Sequence, residues 1–129
     1  MEKIPSAMKL HLRYRLYIAE MNFDINVLRI FEDYVKEMEA KKKEPEVNKG
    51  TLFFQKKFVD FRKEIDELRH EMHLQKMKLA ALDRDNKTLD KKTYKADNHR
   101  DLKKRYKAYR ESFDKLKKKF RLFEEEWLN

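Results

Sequence analysis

The chain contains no cysteine, a single glycine and only two prolines. Without cysteine there can be no disulfide, no thiolate catalysis and no Cys-bearing zinc site, and the absence suits a reducing compartment. One glycine (Gly50) and two prolines (Pro5 and Pro45) are too few turn residues for an all-β fold. A run of 18 apolar residues is also missing, so no segment reads as a membrane-spanning helix. The stretch MEKIPSAMKLHLRYRLYIAEM is interrupted by Lys9, His11, Arg13 and Arg15 and lacks the apolar centre of a signal peptide. A cytoplasmic protein is the expectation.

Charge is abundant: 44% of the 129 residues are Asp, Glu, Lys or Arg, while 40% are hydrophobic. That mixture has enough apolar content to fold and suits slender helices, which have much surface for little core. A single domain over 1–129 is expected for this length. The net charge of +9 is unevenly placed. Residues 84–121 hold sixteen basic against six acidic side chains, whereas residues 20–40 hold six acidic against two basic. An acidic first helix lying near a basic last one would neutralise part of this asymmetry.

Hydrophobic spacing divides the chain into helical segments. Ser6 is a suitable cap for a first helix over about 6–43. One apolar stripe runs Met8, Leu12, Leu16, Ala19, Phe23, Val27, Ile30, Tyr34 and Met38, and a second runs Leu10, Tyr14, Tyr17, Met21, Leu28, Phe31 and Val35. Read as neighbours, they form one wide face for packing against two other helices. Asn22, Asp24 and Asn26 are poor helix formers where a kink could fall. Pro45, Asn48 and Gly50 mark a connection over 44–50, with Thr51 capping a second helix over about 51–84. This helix carries Phe54, Phe58, Phe61, Ile65, Leu68, Met72, Gln75, Leu79 and Leu82 at alternating three–four spacing. A third helix over about 99–128 repeats the spacing on Leu102, Tyr106, Tyr109, Phe113, Leu116, Phe120, Phe123 and Trp127.

Between them, residues 83–100 are polar without glycine or proline, and Asn98 with Asp101 resembles a capping box. A turn in this stretch gives an all-α, elongated antiparallel three-helix bundle with coiled-coil-like packing. The alternative is a helical hairpin with one continuous helix from about 52 to 128, which could bury its stripe only in a dimer. The bulky aromatics of the third segment favour the bundle.

No catalytic constellation emerges. His70 and His73 are spaced i, i+3, whereas a metalloprotease helix needs i, i+4 around a glutamate. Glu67 with His70 matches half of a di-iron motif, but no second copy exists. An exposed pair without function is the reading, and no metal, cofactor or small-molecule substrate is expected. His11 and His99 are isolated.

Two kinds of partner surface remain. Tyr14, Tyr17, Phe31, Phe53 and Trp127 exceed what narrow seams bury, and point to contact with a protein partner or a second copy in a homodimer. Lys91, Lys92, Lys95, Arg100, Lys103, Lys104, Arg105, Lys107, Arg110, Lys115, Lys117, Lys118, Lys119 and Arg121 form a basic segment suited to nucleic-acid phosphates, or less readily to an anionic membrane surface. Glu111–Lys115 and Asp114–Lys118 are spaced to neutralise some of it. A non-enzymatic helical adaptor or structural protein that self-associates is the leading expectation, and non-specific nucleic-acid binding through 84–121 the alternative.

Overall fold

Ser6 starts the first helix as its composition suggests: its Oγ accepts a hydrogen bond from the Lys9 N–H at 3.1 Å. From there α1 runs unbroken over Ala7–Lys41, so Asn22, Asp24 and Asn26 do not kink it out of helix. The computed structural model describes residues 3–127 and places four helices in them, α1, α2 (Pro45–Arg84), α3 (Lys91–Ala96) and α4 (His99–Trp127).

The connection expected over 44–50 is shorter, because α2 begins at Pro45 itself, with Glu44 as its cap. Proline at the first helical position forfeits no hydrogen bond, since that N–H has no partner in the helix, and its fixed φ favours the start. Thr51 therefore lies inside α2, buried, with its hydroxyl donating to the Asn48 carbonyl oxygen at 3.0 Å. Gly50 is helical as well, and the Phe123 ring of α4 lies so close that a Cβ there would meet Cε2 at 2.2 Å.

The three-helix expectation is corrected by α3. Where one turn was foreseen the chain makes two breaks with six helical residues between them, giving a four-helix bundle with helices of 35, 40, 6 and 29 residues. The continuous helix from 52 to 128 is overturned by the same breaks; its last residue lies outside the described residues. Asn86 and Asn98, both with φ of 54°, reverse the backbone after α2 and after α3. Asparagine tolerates this left-handed conformation better than other residues with a Cβ. Asp90 starts α3 by accepting from the Thr93 N–H at 2.7 Å.

Cross-helix contacts fix the directions. Glu39–Gln55 and Arg62–Glu32 run α1 and α2 antiparallel. Phe54–Phe123 and Phe61–Tyr109 do the same for α2 and α4, and Tyr17–Tyr106 with Phe31–Phe120 set α1 parallel to α4. Of the expected seams, Phe54, Phe58, Ile65, Leu68, Met72 and Leu79 of α2 and Leu102, Tyr106, Tyr109, Phe113, Leu116 and Phe120 of α4 are buried, while Phe61, Gln75, Leu82, Phe123 and Trp127 are half-buried. From α1 the core takes Leu10, Tyr14, Met21, Leu28, Val35 and Met38. Asp24 shares this heptad frame and is buried too. Among the described residues, no helix is long and apolar enough to cross a membrane.

Candidate contact surface on the first helix

The two stripes of α1 have opposite fates. At about 100° per residue their mean directions differ by roughly 150°, so they are separate faces and not one wide face. The row from Leu10 to Val35 lies against the core, with Tyr17 and Phe31 half-buried, and Met38, the last member of the other row, is buried beside it. The other, Met8, Leu12, Leu16, Phe23, Ile30 and Tyr34, points outward, with side chains between 44% (Tyr34) and 70% (Met8) exposed. Ala19 is exposed and Val27 half-buried in the same row. Beside Phe23, a shallow groove is lined by Leu16, Ala19, Glu20 and the α4 side chains Arg110 and Lys117.

A polar network decides which face turns inward. Asp24 is 2% exposed, and its carboxylate accepts from Tyr109 Oη at 2.6 Å and from Arg110 Nη1 and Nη2 at 3.1 and 2.8 Å. Arg110 Nη2 also donates to Tyr106 Oη at 2.9 Å, and the Tyr106 hydroxyl donates to Glu20. Burial, followed by the adjacent acidic groups, holds the Tyr109 and Tyr106 hydroxyls far above the usual phenol range. Each buried polar atom here has a partner, so the network locks α1 against α4 in one register.

A second polar contact closes the end of the bundle. His99 is buried, stacks on Tyr94 of α3 with ring centres 5.3 Å apart, and meets the Tyr14 hydroxyl through Nδ1 at 2.6 Å. Its Nε2 has no hydrogen bond and lies 3.9 Å from an Asp97 oxygen. A proton on Nε2 faces that carboxylate and leaves Nδ1 to accept from Tyr14. Burial holds the imidazole below its ordinary value, against an opposing pull from Asp97.

The aromatic residues expected at a partner surface are mostly internal. Tyr14 is buried; Tyr17 is half-buried and stacked on Tyr106 at 4.1 Å; Phe31 is half-buried against Phe58 and Phe120. Parallel packing of α1 on the aromatic α4 consumes them. Phe53 is exposed beneath Lys57, and Trp127 is half-buried at the end of α4.

The basic segment is partly spent. Arg110 is bound to Asp24, Arg105 pairs with Glu71, and Lys117 pairs with Asp114 at 3.3 Å, the place expected of Lys118. Lys115 has no ion pair with Glu111. Lys91, Lys92, Lys95 and Arg100 are exposed around α3 and the start of α4. Lys103, Lys104, Lys107, Lys118, Lys119 and Arg121 are exposed without an ion-pair partner among the described residues. His70 and His73 are exposed beside Asp66 and Arg69, and no group of three His, Asp or Glu among the described residues is placed to hold a metal.

Comparison with protein-family models, with curated proteins and with solved structures finds no match.

Proposed function

We propose that this is a non-enzymatic helical protein that acts by contact, associating with its own kind through the outward stripe of α1. One observation carries the reading: six large apolar side chains lie in a row on a helix whose opposite side already fills the core. Scattered exposed apolar residues are ordinary, but a continuous row is not. Its surface stays in water at a cost of about 25 cal/mol per Å² until something covers it. The buried Asp24–Arg110 network supports the reading, because it fixes the rotation of α1 and keeps this row outside. The test is sedimentation across a concentration series, for the chain and for a Leu16→Gln/Phe23→Gln variant. The chain should gain mass above 16.0 kDa with concentration while the variant stays monomeric. A chain that is monomeric throughout would overturn the reading.

A second reading rests on the unpaired cations of α4. Lys103, Lys104, Lys107 and Lys118 are free to meet phosphates, which would give nucleic-acid affinity that falls steeply with added salt.

A further inference from the structure

The exposed row on α1 is symmetric about Phe23. Ala19 and Val27 lie four residues to either side of it, Leu16 and Ile30 seven, and Leu12 and Tyr34 eleven. When two helices pack antiparallel about a two-fold axis, residue i faces its mirror position on the other helix. An axis at Phe23 therefore sets Phe23 against itself, Leu16 against Ile30, and Leu12 against Tyr34; Met8, whose mirror position is the buried Met38, lies beyond the symmetric part of the row.

The charges on α1 agree with this direction. Lys9, Arg13 and Arg15 accompany the first half of the row, and Asp33 and Glu37 the second. Arg15 and Asp33 are exposed, have no ion-pair partner among the described residues, and lie on the same edge of the row at about 100° per residue. Antiparallel pairing puts each Arg15 beside an Asp33 of the partner subunit, twice over. Parallel pairing would leave Arg15 and Asp33 about 27 Å apart along the axis and make no such pair.

We infer that the partner on this face is a second copy of the chain, seated α1 on α1, antiparallel, about a two-fold axis at Phe23. The inference rests on the self-associating reading above and adds its direction and register. The symmetric part of the row, Leu12 to Tyr34, is about 33 Å long on a helix roughly 10–12 Å wide and covers about 360 Å² per copy. About 720 Å² over both copies is below the size of a stable interface and is that of a weak, transient one, so the dimer forms and dissociates with concentration.

The absence of cysteine makes the geometry directly readable. Single variants Leu12→Cys, Phe23→Cys and Tyr34→Cys are treated with a short bis-maleimide at a concentration where the unmodified chain is dimeric by sedimentation, one variant of each mixture carrying a mass tag. The expected result is cross-linking of Phe23→Cys with itself and of Leu12→Cys with Tyr34→Cys, and little of Leu12→Cys with itself. Strong linkage of Leu12→Cys to itself, at the expense of the mixed pair, overturns the antiparallel arrangement and leaves the self-associating reading standing. A dimer in which none of the three links, or no dimer at all, overturns both. Charge exchange supplies a second readout: Arg15→Glu or Asp33→Arg alone should weaken dimerisation about three- to tenfold, and the double variant should recover it. Failure of the double variant to recover counts against the register.

Discussion

The buried Asp24 of α1 and the half-buried Arg110 of α4 form a two-pronged ion pair, Nη1 and Nη2 reaching the two carboxylate oxygens at 3.1 and 2.8 Å. The pair converts a heptad position that ought to be apolar into a polar lock. Removing Arg110 alone strands the Asp24 charge, whereas removing both leaves only the neutral Tyr109 hydroxyl without its acceptor. Arg110→Met should therefore cost about 3–5 kcal/mol of unfolding free energy, and the double change Asp24→Leu/Arg110→Met distinctly less. Denaturant titration of the two variants checks this. A double variant as unstable as Arg110→Met would mean that the stranded Asp24 charge is not what that change costs.

Acid should loosen the α3 end first. The folded-state value of His99 is lowered by burial, so between that value and the ordinary value near 6.5 the unfolded chain binds more protons than the folded one. Stability then falls as pH drops below about 6.5 and stops falling once the folded histidine is also protonated. His99→Phe should flatten the dependence in that window. Denaturant midpoints at stepped pH, for the chain and the variant, test the sign.

In alkali the tyrosines act in the opposite sense. Tyr14, Tyr106 and Tyr109 are raised well above the ordinary phenol value of 10.0, and Tyr17 is raised as well, with burial the largest cause each time. Above about pH 10 the folded chain keeps protons that the unfolded chain releases, so stability falls as pH rises. Phenolate absorbance should show these four titrating together with loss of helical circular dichroism, not ahead of it.

The two left-handed asparagines give a backbone test. Asn98→Gly removes the Cβ that the φ of 54° disfavours and should change stability by less than about 0.5 kcal/mol. Asn98→Val should cost about 1–2 kcal/mol, since a β-branched side chain is strained there. The same contrast at Asn86 should be similar in sign, and thermal unfolding of the four variants would measure it.

Much of this fold is legible in the residues alone. The seams of α2 and α4 can be read from spacing because each of those helices carries one sustained apolar row. On α1 there are two rows, and periodicity does not say which one turns inward. Asp24 was the available signal: it falls in frame with Leu10, Tyr14, Tyr17, Met21 and Leu28, yet reads locally as a helix breaker. Its role becomes visible only when Arg110 and Tyr109, 85 and more residues away, are brought beside it. That is also why Tyr14, Tyr17 and Phe31 look like surplus surface in sequence, while in the fold Tyr14 is core and Tyr17 and Phe31 pack half-buried against it. Helix α3 is hidden for another reason: six residues are too few to display a period, and only Asp90, as its cap, announces it.

The seat that Gly50 provides for Phe123 makes the two ends of the bundle respond to different insults. At that end the limit is volume: a single added methyl must push aside a ring that also packs on Phe54 and Phe120. At the far end, where Tyr94, His99 and Tyr14 meet, the limit is one proton. A change in side-chain size and a change in acidity would thus begin to open the same molecule from opposite tips.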